Sequence, residues 1–535
     1  FVSNASFVDS GSADGFRKAL AEEFAAIYCL NLRGNQRTSG ETSRKEGGKI
    51  FGQGSRTPIA VTLLVKNPER AGPARISYHD IGDYLSREDK LAKLTSFGDI
   101  SAVPWQEVTA NDAGDWINQR GELFATFPPL GDKSSGGAAD AIFSTYSRGV
   151  ATCRDAWAYN FSRTELLANM AATIAAYNAE RTRFDEQVRS GSARRSVEAV
   201  SAFVDPDPTR VSWTVNLKND LRLNKPAVFE PARAVASMYR PFCKQWLYFD
   251  RQWNERVYRL PSLFPSPEHR NRVIAVSGVG TRSAFSVLMT DAVPCLHLAD
   301  VSDGSQCFPR YRYVEKPGAG SLFESDGDRF ERDDAVSERT LDAYRARFGD
   351  AVSADDVFYY LYAVLHSPEY RRRFAAELGK MIPRVPMLDA FFELATAGRQ
   401  LGELHVGYET VEPWPLDGMP GAGASDRELR VEKMAFAGGA RDRDRSRLVV
   451  NSFVTLSGIP EEAHRYEVNG RTALEWLIDR YQLKLDKDSG IGNDPNTWSD
   501  DPRYIVELVA RIVTVSAASA EIVSGLPALG IPAAG

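Results

Sequence analysis

The stretch Ile27–Val65, "IYCLNLRGNQRTSGETSRKEGGKIFGQGSRTPIAVTLLV", decides how the first part of this chain is read. Its two ends, Ile27–Leu32 and Ile59–Val65, are continuous apolar or β-branched runs, the pattern of strands covered on both faces. Upstream, "FVSNASFV" is a third short apolar run. Between them "ADGFRKALAEEFAA" spaces Phe16, Leu20 and Phe24 at helical intervals behind an Asp14 cap. Strand, helix, strand, long loop and strand predict an α/β unit with a mostly parallel sheet over residues 1–70. Three strands and one helix do not close such a domain. The chain also opens at Phe1 inside a strand-like run, so the expectation is the C-terminal piece of a longer polypeptide.

The loop between the two strands is long for such a connection, and loops of that length tend to be functional or unstructured. From Arg33 to Arg56 it carries six basic residues against Glu41 and Glu46, a net of +4 on a chain whose formal charge is -6. Glycines beside Lys49 suggest a phosphate cradle, but a Walker A loop requires Gly-x-x-x-x-Gly-Lys-Ser/Thr. Here Ser43 stands at the first glycine and Ile50 follows Lys49. Neither a Walker A nor a Gly-x-Gly-x-x-Gly signature occurs elsewhere, so nucleotide binding by this segment is rejected. Arg37, Arg44, Lys45, Lys49 and Arg56 instead read as an anion-seeking loop. The other reading is a solvated connection without a role.

Composition sets wide bounds. At 535 residues several domains are expected, and no apolar run reaches the ~18 residues of a membrane helix. The five cysteines form no Cys-x-x-Cys pair, which argues against a zinc or disulfide framework and fits a reducing, cytoplasmic setting.

Residues 71–135 read as a connector with a charged helix, ending in the small-residue run Asp132–Asp140. Residues 136–320 combine a long helix, "RTELLANMAATIAAYNAERTRFDEQV", with aromatic-rich strands such as "KQWLYFD" and "VIAVSGVG". Three turns there present arginine or lysine: Arg148 and Arg154 around Gly149, Arg240 and Lys244 beside a proline break, and Arg282 in "GVGTRSAF". Arginine on a rigid turn suits contact with a guanine edge; structural ion pairs and aromatic packing are the competing reading. Residues 335–535 look helical, with Ser353 capping a helix whose Val357, Tyr360, Leu361, Val364 and Leu365 form one apolar face. His366 and His405 belong to no metal-binding spacing and are assigned capping or core roles; no metal site is expected.

The opening sequence from "FVSNASFVDSGSADGF" to "IAVTLLVKN" resembles the end of the N6-adenine methyltransferase domain of type ISP restriction-modification enzymes. "YSRGVATCRDAWAYNFS", "MYRPFCKQWLYFD", "FYYLYAVLHSPEYRRRF", "AGRQLGELHVGYE" and "VNGRTALEWLIDRYQLKLDKDSGIGNDPN" resemble that family's recognition region, in family order. The resemblance implies the last strands of a Rossmann-like methyltransferase sheet, then a mixed α+β target recognition domain with a helical C-terminal region. It implies sequence-specific binding of double-stranded DNA. Upstream methyltransferase, helicase-translocase and nuclease domains of the same polypeptide would use S-adenosylmethionine and ATP/Mg2+. No Asn-Pro-Pro-Tyr motif is present, so this chain alone is expected to be inactive, with no catalytic residue of its own. The resemblance gives the basic loop DNA phosphates as partners. Because Val65 stands where an aromatic is expected, Phe51 becomes the candidate to stack on an extruded adenine; the competing and favoured reading is that it anchors the loop to the domain. Two alternatives stay open: part of a stand-alone adenine methyltransferase without a motor, and a non-enzymatic DNA-binding module.

Overall fold

A computed structural model describes residues 1–38, 40–52, 55–70, 72–132, 140–281, 283–316, 329–439 and 442–531. The first sheet has five strands: β1 (Val2–Asn4), β2 (Ala26–Asn31), β3 (Ile59–Val65), β4 (Arg75–Asp80) and β5 (Gln106–Val108), in spatial order β1-β3-β2-β4-β5. Only β2 and β4 pair in parallel, from Ala26 opposite Arg75 to Asn31 opposite Asp80. β3 runs antiparallel to both β1 and β2, and β5 antiparallel to β4. The mostly parallel sheet expected from the sequence is therefore corrected to a mixed one. The long loop turns the chain back along the strand it has just left, and a direct return gives an antiparallel pair. β4 and β5 come from the segment read as a connector, and the sheet extends through it to residue 108.

One face of this sheet packs Ile27, Cys29, Ala60 and Ile76 against Ala5, Val8, Leu20 and Trp116. The other gathers Leu30, Leu32, Ile59 and Ile81 around Ile50 from the loop. On helix α1 (Asp14–Glu23) Leu20 is buried as expected, but Phe16 is exposed and meets Phe7 edge-on. Arg17 takes the inner position instead. Its guanidinium donates to the Phe7, Ser10 and Gly114 carbonyls and to Asp115, which also binds Arg120 and lies 3.5 Å from Lys380. This buried charge cluster ties the first sheet to the segment around residue 380.

Beyond it lie two four-stranded sheets, one holding Val273–Val276, Val287–Thr290 and Gln306–Pro309, the other Ala234–Arg240 and Cys243–Tyr248. The helix Arg163–Arg189 stands on the second sheet and, with Val197–Phe203 and Val215–Arg222, encloses its own small core. Ser353 and Asp356 form a reciprocal cap on the helix Ala354–His366. That helix is buried all round, not along one face, because Phe391–Val406 covers the side left open in the sequence reading. Tyr504–Ser524 closes the C-terminal core.

Candidate nucleic-acid interface

Because β1, β2 and β4 share one direction, their carboxyl ends come together. Ligands of open α/β sheets bind at such ends. A cleft of about 1030 Å3 opens there. Ala5 and Ser6 after β1, Asn31 at the end of β2 and Arg33 beyond it, and Tyr78 and Asp80 from β4 supply one wall. The opposite wall comes from the turn Val279–Thr281 and from Gly379 and Lys380.

Asp80 organises the near wall. It accepts hydrogen bonds from Asn31, from the Tyr78 hydroxyl, from the Gly82 amide and from Arg33 at 2.6 Å. Burial works against the Arg33 charge, but Asp80 and Asp83 outweigh it and hold the guanidinium protonated above its ordinary range. Burial likewise pushes the Tyr78 phenol well up, so it stays neutral. Asp9, Glu46 and Asp303 also line the cleft, whose charged residues are more often acidic than basic.

The rim is the loop from Arg33 to Pro58. It contains the short helix α2 (Gly40–Glu46) and is fastened from below by α3 (Arg87–Phe97). Lys90 donates to the Glu46 and Gly48 carbonyls at 2.7 Å, and Arg87 to the Ile50 carbonyl at 2.8 Å. A Cβ on Gly48 would lie 2.4 Å from the Arg87 nitrogen, so this glycine permits a close backbone approach. Gly40, at φ +59°, sits against the Gly470 carbonyl, where a Cβ would come within 2.1 Å. Ile50 is the residue that anchors the loop among the sheet side chains, whereas Phe51 beside it is 49% exposed.

Arg37, Lys45 and Arg56 are exposed and Lys49 is half-buried. Arg44 is exposed but donates to Glu41 at 2.7 Å, and Glu41 also accepts from Tyr84, which leaves its carboxyl below the ordinary range. The recognition-region candidates are placed differently. Arg154 is 5% exposed, donates to Trp253 O and Thr214 Oγ1, and is pushed down to about 10 by burial. Arg240 lies 3.9 Å from the Tyr239 ring centre and pairs with Asp155. Lys244 pairs with Glu409 at 2.7 Å. Arg148 is half-buried, stacked on Tyr258 and bonded to the Asp303 carbonyl. Burial and these partners place Arg148, Arg154, Arg240 and Lys244 in the packing of the recognition sheets, apart from the rim cations. Arg282 lies outside the described residues.

His366 and His405 are core residues. His405 bonds Tyr362 and Ser519, and burial pushes it down to about 3. Among the described residues no group of three or more potential metal ligands occurs, and no helix is long and apolar enough to cross a membrane. The sequence reading missed Asn31, Tyr78, Asp80 and Lys380, because the cleft is assembled from segments more than 300 residues apart. A usable signal existed: apolar strands ending in polar residues, as in "NLRGN" and "YHDIGD".

The chain is similar to a nuclease-deletion mutant of the type ISP restriction-modification enzyme LlaGI in complex with a DNA substrate mimic, at 37% identity over 98% of its length and a TM-score of 0.85. It is similar to the ATP-dependent type ISP enzyme LlaBIII bound to DNA, at 32% identity over 99% and 0.86. It is similar to DrdV in a DNA complex, at 31% over 99% and 0.82. It spans 39%, 33% and 50% of those chains. No curated protein matches it. Residues 141–508 match the type ISP C-terminal specificity domain, and the chain belongs to the type ISP restriction-modification family.

Proposed function

We propose that this chain recognises a specific duplex DNA sequence for adenine-N6 methylation and ATP-driven restriction by a type ISP enzyme acting in the cytoplasm. The observation that carries the reading is the cleft at the carboxyl ends of β1, β2 and β4, faced by the Val279–Thr281 turn of the matched specificity domain. In this reading the first sheet is the closing part of a Rossmann-like methyltransferase domain, with residues up to about 135 joining it to the recognition part. The largely acidic cleft repels phosphate, so the duplex backbone follows the rim cations Arg37, Lys45, Lys49 and Arg56. The cleft is left for a base taken out of the stack. Phe51, exposed on the rim, is the ring available to stack on that base.

The chain carries neither an Asn-Pro-Pro-Tyr motif nor a Walker A loop. Without a glycine-rich strand end or a Walker A loop this chain does not fit S-adenosylmethionine or ATP, and both would bind other parts of a full-length enzyme.

Hydrogen exchange with and without a mixed-sequence 30-base-pair duplex tests the reading. Protection is expected at 31–37, 44–51 and 279–281. Protection confined to the helices between 163 and 222 would refute the cleft as the DNA path.

A further inference from the structure

Three asparagines line the cleft, Asn31, Asn35 and Asn118, and one of them keeps an unused donor. Asn31 Nδ2 donates to the Tyr78 hydroxyl and to Asp80, and Asn118 Nδ2 donates to Asp9 at 2.7 Å. Asn35 differs. Its backbone amide donates to Glu46 Oε2 at 2.9 Å, its carbonyl accepts from Thr38 Oγ1, and its Oδ1 accepts from the Arg37 amide at 3.0 Å. The Arg37 contact fixes which end of the side-chain amide is oxygen. Nδ2 then has no acceptor among the described residues, although Asn35 is only 4% exposed.

The backbone makes this placement rigid. Arg33 and Gly34 both take left-handed conformations, at φ 55° and 89°, directly before Asn35. A Cβ on Gly34 would lie 3.1 Å from Lys49 Cα, so the turn is pressed against the basic loop. Nδ2 is nevertheless not sealed from solvent. In a residue this enclosed, the cleft that Asn35 lines is the direction from which an acceptor can reach it.

Charge selects the kind of acceptor. The cleft carries Asp9, Glu46, Asp80 and Asp303 against Arg33 and Lys380. Both cations are already paired, Arg33 with Asp80 and Asp83 and Lys380 with Asp9 at 2.9 Å. A phosphate would meet excess negative charge there, whereas a neutral acceptor would not. Leaving a desolvated donor unpaired costs free energy that such an acceptor restores. On adenine the acceptors are ring nitrogens, while the exocyclic amine is itself a donor and would oppose Nδ2.

We propose that Asn35 donates its Nδ2–H to a ring nitrogen of an adenine turned into the cleft. The inference rests on the DNA-binding reading above and gives the extruded base a specificity contact.

The test measures binding of the whole chain to mixed-sequence 30-base-pair duplexes. One probe carries a central adenine opposite an abasic site, which lowers the cost of extrusion. A second carries 4-methylindole there, an adenine-shaped base without ring acceptors, and a third is fully paired. The wild-type chain should bind the adenine probe about tenfold more tightly than the 4-methylindole probe. N35D keeps Oδ1 for the Arg37 amide and loses the donor; N35S keeps a hydroxyl for that amide but is too short to reach the base. Both should bind the two probes alike, and N35S should keep the wild-type salt slope on the paired duplex, because no phosphate contact is lost. Folded variants that retain the wild-type preference overturn the contact, as does a shallower slope in N35S. A wild-type chain that binds the adenine and 4-methylindole probes equally overturns it whether or not the variants fold. Failure of the wild-type chain to bind any of the duplexes would instead remove the DNA-binding reading and this contact with it.

Discussion

Replacing Asp115 by Asn removes the acid from a site where three cations converge. Asp115 is fully buried; Arg17 donates to it at 3.0 Å, Arg120 at 2.7 Å, and Lys380 lies 3.5 Å away. Burial alone would raise the Asp115 carboxyl, but the Arg120 hydrogen bonds and the Lys380 and Arg120 charges hold it at about 2. Against an ordinary value of 3.8 that is worth about 2–3 kcal/mol. The substitution costs more than lost attraction, since Arg17 is left buried with only carbonyl partners; breaking such pairs costs about 3–5 kcal/mol. The assay is hydrogen exchange of the Ile27–Asn31 amides at pH 7, which reports opening of the first sheet. A loss of about 3 kcal/mol speeds it on the order of a hundredfold. The wild-type contribution is complete above about pH 4 and disappears as pH falls through about 2, because the folded pKa is the depressed one. Exchange in the variant within threefold of wild type would refute the cluster as the tie between the sheet and the 380 segment.

Charge removal on the rim should be graded by pairing. R37Q, K45Q and R56Q together are expected to lower the salt slope of duplex binding by about 2.7, a ~40-fold smaller loss over fourfold salt, whereas R44Q, already paired with Glu41, does less. Arg154→Met should lower the melting temperature and leave the slope unchanged, because its donors serve Trp253 and Thr214; a shallower slope would place it on the DNA. His405, held at about 3 by burial, stays neutral in the folded core. Stability is therefore complete above about pH 6.5 and declines as pH falls toward 3, by up to about 5 kcal/mol. Acid unfolding of H405Q should be flatter in that window. Gly48→Ala should raise proteolysis between residues 40 and 58, since its Cβ meets the Arg87 backbone.

What the sequence disclosed was local. Ile59–Val65 is a strand over the residues that the apolar run marks, and "RTELLANMAATIAAYNAERTRFDEQV" is a helix to within one residue. Ser353 caps its helix. These features depend on neighbours a few positions away. What stayed hidden depends on distant partners. Arg17 occupies a core position because the Gly114 carbonyl and Asp115 come to meet it. Arg154 and Lys244 look presentable in the sequence, yet Trp253, Thr214 and Glu409 claim them. The cleft has the same character: no single segment contains it, and "RGNQR" acquires its setting only when Asp80 and residue 380 arrive. Even Ile50 and Phe51, side by side, differ because only the first faces the sheet.

The facing glycines, Gly40 on the loop and Gly470 in a left-handed turn of the specificity domain, bear on engineering. Exchanging specificity domains between relatives is a natural route to new target sequences. At this seam a graft keeps its fit only if position 40 stays a bare backbone, because a Cβ there would meet the carbonyl of residue 470 and lever the basic loop off its seat. A chimera that folds but has lost its loop placement should therefore be repaired first at position 40, before any residue on the recognition surface is changed.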